Sequence, residues 1–346
     1  MALKRSATET EILSNADYLP HRYDEIANGF RFVHVPRDIH RQSTFITDEH
    51  LPDVDHYQLI GERNIQSGSV KAAPVHFIFH AAYCCSTMLA RAFDIEGVAM
   101  GLKEPVVLND MIGWKRRGAR DTNYDTIIDK SLTLLSRPFS EDEAIIIKPS
   151  NICTPLALPM MRLRPQSKAI LLYAPIESYL QSIAKKEMWG RIWVRDVLLG
   201  TRKDGYLIDG FTDDDLLRLT DLQVAALGWL SQRGQFADIV KTVGPERVKL
   251  LDSDTFLANQ SEVMALACKH FELDIDQSQL AGVMAGRAFN SHSKSKLGFD
   301  AAARKQEQEA MDVLHGEEIK MVATWIEAVA QSQNVKLDSS ANLFGN

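Results

Sequence analysis

Cysteine is scarce in this chain of 346 residues, which has four: Cys84, Cys85, Cys153 and Cys268. No two of them have C-x-x-C spacing, and a vicinal pair followed by distant single cysteines does not supply the ligand pairs of a tetrahedral zinc site. A disulfide framework is typical of secreted domains, and nothing else in the sequence indicates one. We therefore expect no disulfide framework and no bound metal.

Long apolar runs and excess positive charge are also missing. No run reaches the length of a membrane-spanning helix, and the start, MALKRSATETEILSNADYLPHRYDE, lacks the apolar centre of a signal peptide. The chain has 39 Lys and Arg against 46 Asp and Glu, a formal net charge of −7. These absences predict a cytoplasmic protein with neither nucleic acid nor a membrane as partner, so any bound anion must be held by a local site.

Short apolar runs rich in β-branched residues are abundant instead. Their near-continuous apolarity indicates strands that are covered on both faces. The runs are VHFIFH (75–80), VAMGL (98–102), AIIIK (144–148), KAILLY (168–173) and RVKLLD (247–252). The sequence therefore predicts an α/β fold of three layers, with a mostly parallel central sheet and helices on both faces.

Helical periodicity fills the intervals between these runs. Apolar residues recur at three- and four-residue spacing over 125–135, 176–184, 213–243 and 261–271, and a final helix is predicted over 317–330. The long segment begins at three aspartates and ends before Gly244, with a break expected near Gly228 or Gly234. We predict a main domain over 71–335, an extension over 1–70 that packs on it, and a loosely held tail over 336–346.

The stretch FIFHAAYCCSTMLARAF, residues 77–93, reads as a strand, a small-residue turn and an amphipathic helix. Such a unit places free backbone N–H groups and the positive end of a helix dipole at one point, which favours anions. Residues 80–87, HAAYCCST, occupy the place of the G-x-x-x-x-G-K-[ST] nucleotide loop but lack both glycines and the lysine. The loop alone fits a metal-free phosphate site and a simple packing unit equally well.

Three further segments follow in order along the chain. Glu104 stands in GLKEP, Lys148 ends a predicted strand in IIIKPS, and Ser182 lies in the helix after LLYAPIES. Together with the 83–87 loop, these motifs resemble the sulfotransferase family, in particular its bacterial and tyrosylprotein-sulfotransferase-like branch. The resemblance covers roughly residues 74–300 and implies a P-loop-like α/β fold.

The resemblance implies sulfuryl transfer from 3′-phosphoadenosine 5′-phosphosulfate to a hydroxyl or phenol of a small molecule or peptide, without a metal. It assigns Glu104 as general base and Lys148 to the transferring group. The 5′-phosphosulfate loop is then Tyr83, Cys84, Cys85, Ser86 and Thr87, while Ser182 binds the 3′-phosphate. These residues also have simpler interpretations: helix capping for the hydroxyls, an acid at a helix start for Glu104 and a solvated strand end for Lys148.

Two cations of the family pattern are absent, because Tyr83 and Ala174 stand where basic residues are usual. We expect Arg191 and Lys294, in two basic runs of the chain, to compensate, although solvated surface is the usual role of such runs. Thiols at a helix start have a lowered pKa, so a reactive Cys84 or Cys85 is an alternative. Another P-loop kinase or transferase and a non-catalytic nucleotide-binding relative remain open, as do the monomer and the homodimer.

Overall fold

The computed structural model describes residues 7–66, 70–119, 121–290, 301–335 and 341–344, with side chains left out at 121, 122, 287, 290 and 301–314. The strands are β1 Tyr18–Asp24, β2 Gly29–His34, β3 Gln58–Gly61, β4 Val75–His80, β5 Ala99–Lys103, β6 Ala144–Lys148, β7 Ala169–Tyr173 and β8 Val248–Asp252. The helices are α1 Glu9–Ser14, α2 Arg37–Gln42, α3 Ser86–Ala92, α4 Val106–Arg116, α5 Asp121–Leu135, α6 Ala157–Leu163, α7 Ile176–Ala184, α8 Glu187–Lys203, α9 Asp213–Arg218, α10 Asp221–Val243, α11 Ser253–Ala258, α12 Gln260–His270, α13 Gln277–Ala285, α14 Arg287–Asn290 and α15 Ala301–Ser332. Short 3₁₀ helices cover Glu62–Asn64 and Asn151–Leu156.

The main sheet has five parallel strands in the order β5-β6-β4-β7-β8. Each predicted strand is present, with its ends displaced by at most one residue. Successive side chains point to opposite faces: Ile147 lies in one apolar cluster with Ile127 of α5, and Ile146 lies in the other with Leu180 of α7. The predicted three-layer α/β fold with helices on both faces is thereby confirmed.

The N-terminal residues form a second sheet, antiparallel and ordered β1-β2-β3. Phe30 and Phe32 of β2 are buried in the same apolar cluster as Ile127. The buried guanidinium of Arg137 donates to the carbonyl oxygen of Ile12 at 2.6 Å, which ties α1 to the end of α5. Residues of this N-terminal sheet and of α1 therefore pack against α5, while the division into an extension, a main domain and a tail, with boundaries at 70 and 335, stays a prediction.

The long helical segment is divided, but not where the glycines predict. α9 ends at Arg218, and Thr220 caps α10 by accepting from Gln223 N at 3.3 Å while Thr220 N donates to Gln223 Oε1 at 3.0 Å. α10 then continues through Gly228 and Gly234. The predicted break at those glycines is wrong, because a capping box stops and restarts a helix more strongly than one glycine inside a buried helix.

The chain end is held by backbone bonds to β8. Leu250 N donates to Ala341 O at 2.8 Å, and Leu343 N donates to Leu250 O at 2.8 Å. The prediction of a loosely held tail is therefore wrong for residues 341–343, which extend the far edge of the sheet. None of the helices in the described ranges combines the length and apolarity that a membrane crossing requires.

Candidate functional site

The loop between β4 and α3 has an unusual backbone. Tyr83 has φ +61° and Cys85 has φ +62°, both in the left-handed region that favours glycine. A left-handed conformation costs an L-residue about 1–2 kcal/mol, and such strain collects at functional sites. Cys85 stands where the family pattern has its glycine, so the loop adopts a glycine-type conformation with a cysteine in that place.

Some side chains of this loop are buried, whereas Tyr83 and Cys85 keep part of their surface exposed. Ser86 and Thr87 begin α3 and are both buried. Cys84 is buried and donates from Sγ to Ala81 O at 2.6 Å. Burial raises the pKa of the Cys84 thiol to about 12. The expected lowering of its pKa by the helix start is therefore wrong for Cys84, because desolvation of the thiolate outweighs the helix dipole.

Glu104 and Lys148 lie at the carboxyl ends of neighbouring strands. Glu104 follows β5 and has φ +57°, and its backbone N donates to Lys148 O at 2.7 Å. The Lys148 side chain is fully buried and its Nζ donates to Glu104 Oε1, and the side chain of Glu104 is 19% exposed. The structure thus brings together the two residues predicted to be catalytic, one with a partly exposed side chain and one fully buried.

His80 ends β4 beside this pair. Its Nδ1 lies 2.9 Å from Ala81 O, its Nε2 lies 3.1 Å from Pro149 O, and Nε2 is 3.9 Å from Glu104 Oε1. The imidazole therefore spans the start of the phosphate-type loop and the residue after β6. It belongs to the site as a buried hydrogen-bonding group.

A second lysine lies next to Lys148 but points elsewhere. Lys103 is the register partner of Lys148 in the β5–β6 pair, and its Nζ donates to His40 O. Burial lowers the pKa of Lys103 to about 7, with the charges of Arg91 and Lys148 adding to the effect. Of these two lysines, Lys148 is therefore the one that forms the ion pair with Glu104.

Two of the predicted binding residues, Ser182 and Arg191, have their polar contacts away from the Glu104–Lys148 pair. Ser182 Oγ donates to Ser178 O at 2.9 Å within α7, and Arg191 of α8 lies on an exposed face where its Nη1 is 3.4 Å from Asp221 Oδ2. Lys294 lies outside the described residues. Neither Ser182 nor Arg191 forms a hydrogen bond or an ion pair with Glu104 or Lys148.

The ring of Tyr83 belongs to an aromatic group. Its centroid is 5.5 Å from that of Trp193 and 6.2 Å from that of Tyr179, and Trp193 stacks on Trp189 at 6.1 Å. Burial raises the pKa of Tyr83 to about 12, so its hydroxyl stays neutral at physiological pH. Trp189 is 60% exposed, which excludes a purely core role for this tryptophan.

Two residues that the sequence did not reveal lie against the strand ends. The ring of Phe45 has its centroid 5.2 Å from Lys148 Nζ. The buried guanidinium of Arg233, on α10, lies 3.6 Å from the ring centroid of Tyr173, which ends β7 next to Ala174. No local motif marks either residue, because each reaches the sheet from a distant part of the chain.

Within the described ranges, no group of three or more His, Cys, Asp and Glu side chains is arranged to hold a metal ion. The arrangement supplies a base and an ammonium at one point, Glu104 and Lys148, beside a strained loop at a helix start. Such a set is able to accept a proton and to stabilise negative charge on a nearby group.

No protein-family model matches the chain, and no curated protein matches its sequence. Among solved structures, the sulfotransferase domain from the curacin biosynthetic pathway is similar at 13% identity and a TM-score of 0.44, covering 78% of this chain and 99% of that one. A sulfotransferase from Alicyclobacillus acidocaldarius is similar at 14% identity and a TM-score of 0.40, covering 74% of this chain and 97% of that one. A sulfotransferase from Mycobacterium avium is similar at 11% identity and a TM-score of 0.42, covering 74% and 78% of the two chains. Likeness at this level carries no weight for activity, which depends on the chemistry of individual residues.

Proposed function

We propose that the protein is a sulfotransferase that moves a sulfuryl group from 3′-phosphoadenosine 5′-phosphosulfate to a hydroxyl or phenol, without a metal. The observation that carries this proposal is the contact between Glu104 and buried Lys148, beside the strained loop that ends at Cys85. The motif resemblance of residues 74–300 supports the same reaction class. The donor, when bound, supplies an activated sulfuryl group on a phosphate leaving group.

Glu104 is the proposed base. Its carboxylate, on a partly exposed side chain, accepts the proton of the acceptor hydroxyl while the acceptor oxygen forms a bond to sulfur. The bond between sulfur and the bridging phosphate oxygen breaks, and the electron pair leaves with 3′,5′-diphosphoadenosine. The proton stays on Glu104 until solvent removes it, so atoms and charge balance.

Lys148 is the proposed electrostatic partner of the leaving group. Once Glu104 is protonated, it holds the ammonium less strongly, and the charge of Lys148 becomes available to the departing phosphate oxygen. The N–H groups at the start of α3 and the hydroxyls of Ser86 and Thr87 are proposed to hold the 5′-phosphate. Tyr83 supplies no positive charge at the 5′-phosphate. Lys148 is therefore proposed to neutralise more of the donor's negative charge than the corresponding lysine in the family pattern.

The residues proposed to bind 3′-phosphoadenosine 5′-phosphosulfate suit its 5′-phosphate better than its 3′-phosphate. The left-handed residues Tyr83 and Cys85 shape a loop of the phosphate-binding kind, and the charge of Lys148 acts on Cys84 between them. Ala174 offers no cation to the 3′-phosphate, because its side chain is a buried methyl group and its carbonyl accepts from Trp229 Nε1 at 2.9 Å. We propose that basic residues elsewhere, Arg191 and Lys294 among them, complete the binding of that phosphate.

The proposal is tested by following the release of 3′,5′-diphosphoadenosine from the donor with a panel of phenols and alcohols, in the presence of a metal chelator. We expect release with the wild type and its loss in Glu104→Gln, which keeps the shape of the side chain. Glu96→Gln is the matched control, because Glu96 is an exposed acid that contacts Arg41 at 3.4 Å. Equal release by wild type and Glu104→Gln would remove Glu104 from the role of base, and a strict need for Mg²⁺ with a nucleoside triphosphate would favour a kinase.

A further inference from the structure

The segment that follows α2 contacts the carboxyl end of β5, the edge strand of the main sheet. Ile46 is completely buried, and its backbone N donates to the carbonyl oxygen of Lys103, the last residue of β5, at 2.8 Å. Thr44 Oγ1 accepts from Arg91 Nη2, on α3, at 3.5 Å. The N-terminal extension is therefore anchored at the carboxyl edge of the sheet, on both sides of Phe45.

Phe45 lies between these anchors with its ring over the site. The ring centroid is 5.2 Å from Lys148 Nζ, and the ring meets His50 edge to face at 5.1 Å. An ammonium within about 6 Å of a ring centroid is attracted to the ring face. Lys148 is fully buried, whereas Glu104 and Phe45 both keep part of their surface exposed. Lys148 therefore lies between two partly exposed groups, the ring of Phe45 and the side chain of Glu104.

The strand order places the donor loop and Phe45 on opposite sides of this pair. β4, which leads into the loop, is third from the edge, and β6 with Lys148 is second. β5 with Glu104 is the edge strand, and the Phe45 segment lies beyond it. In an in-line displacement the entering and leaving oxygens lie on opposite sides of the transferred group. With a leaving phosphate at the loop, the acceptor enters from the side of Phe45.

We propose that residues 44–46 form the acceptor side of the site, and that Phe45 selects an acceptor whose hydroxyl is carried on an aromatic or apolar group. This inference rests on the proposed sulfuryl transfer. A half-buried phenyl ring with no polar group of its own favours a flat apolar surface, and it gives a sugar-like polyol nothing with which to form hydrogen bonds. The N-terminal extension is thereby part of the substrate site.

The test compares Phe45→Ala and Phe45→Leu with Leu59→Ala, a control at an exposed position of β3 in the same N-terminal layer. The probes are 2-naphthol and methyl glucoside as acceptors. For each variant the melting temperature, the Kd of 3′,5′-diphosphoadenosine and the acceptor KM and kcat are measured. Binding of 2-naphthol to the protein saturated with 3′,5′-diphosphoadenosine is measured as well, so that acceptor affinity is known independently of turnover.

We expect 2-naphthol to bind and react in preference to methyl glucoside. Phe45→Ala should raise the KM or Kd for 2-naphthol about ten-fold, which is the effect of losing one aromatic contact, while the Kd of 3′,5′-diphosphoadenosine changes less than two-fold. Phe45→Leu should recover part of the loss, and Leu59→Ala should match the wild type. The inference is overturned if 2-naphthol neither binds nor reacts, or if Phe45→Ala behaves like Leu59→Ala, in a protein that does bind 3′,5′-diphosphoadenosine. Failure to bind that nucleotide would instead overturn the proposed function.

Discussion

The ammonium of Lys148 is fully buried and donates to the carboxylate of Glu104, and the backbone N–H of Glu104 donates to the carbonyl of Lys148 at 2.7 Å. Two adjacent parallel strands, β5 and β6, are thus joined at their carboxyl ends by a backbone bond and a side-chain bond. Carboxyl ends of parallel strands are where α/β proteins bind ligands. The pair is therefore placed for chemistry as well as for sheet stability.

Replacing Lys148 by methionine keeps the buried stem and removes the charge. We predict that Lys148→Met lowers kcat for sulfuryl transfer by at least about 100-fold, because the charge on the leaving phosphate loses its fixed partner. Lys168→Met is the control. Lys168 precedes β7, at the amino ends of the strands and so away from Glu104, and it pairs with exposed Glu272 at 2.8 Å. Equal turnover in the two variants, measured by release of 3′,5′-diphosphoadenosine, would exclude Lys148 from the reaction.

The left-handed conformation of Cys85 predicts a ranking of substitutions. Cys85→Gly should leave the free energy of unfolding within about 1 kcal/mol of the wild type, because relief of backbone strain offsets the greater freedom of glycine in the unfolded chain. Cys85→Val should destabilise by about 2 kcal/mol or more, since a β-branched residue adopts positive φ least readily. Urea unfolding measures both variants, and equal stability of the two would contradict a strained loop.

Gly101 of β5 lies against α3, so a side chain at this position is expected to displace that helix. A Cβ at Gly101 would lie 1.9 Å from the carbonyl oxygen of Ala90 on α3, so Gly101→Ala must push α3 away from the sheet. We expect a loss of about 2–4 kcal/mol in the free energy of unfolding and weaker nucleotide binding. Gly61→Ala is the control, because nothing lies within 4 Å of a Cβ there. Equal melting temperatures for the two variants would contradict this close approach.

His40 predicts a dependence of stability on pH. Complete burial lowers its pKa from 6.5 to about 3, and the charges of Lys103 and Arg37 act in the same direction. Between pH 6.5 and pH 3 the unfolded chain therefore binds a proton that the folded chain does not, and stability is lost as the pH falls. The slope from this one group is at most about 1.4 kcal/mol per pH unit.

His40→Leu isolates that contribution. Neither ring nitrogen of His40 has a hydrogen-bond partner in the described structure, so leucine removes two unsatisfied polar atoms. We expect the free energy of unfolding of the variant to decline less steeply than that of the wild type from pH 6.5 to pH 4. Parallel profiles in urea titrations across this range would show that His40 does not stay neutral in the folded protein.

The sheet was predictable from sequence because its strands are buried on both faces. Short, continuously apolar runs such as AIIIK and KAILLY fit few structures other than a buried strand. Their ends agree with the observed strands to within one residue. The division between α9 and α10 does have a signal in the sequence, since Thr220 and Gln223 form a capping box at the start of α10. In a buried helix such as α10 a capping box has more effect on where the helix begins than a glycine has on whether it continues.

Only those residues of the site that follow a strand could be predicted from the sequence. Glu104 and Lys148 both follow apolar runs, so their position at the sheet edge is readable, but their contact depends on β5 and β6 being neighbours. Phe45 and Arg233 are absent from any local pattern, because their places are set by packing between distant segments. Ser182 matched a motif by spacing, yet its hydroxyl donates within its own helix.

Binding of 3′,5′-diphosphoadenosine decides whether this is a sulfotransferase site. Isothermal titration calorimetry in the presence of a metal chelator should give a saturable heat and a raised melting temperature, with binding weakened in Lys148→Met and unchanged in Lys168→Met. Absence of both heat and thermal shift at millimolar nucleotide would contradict the proposed function.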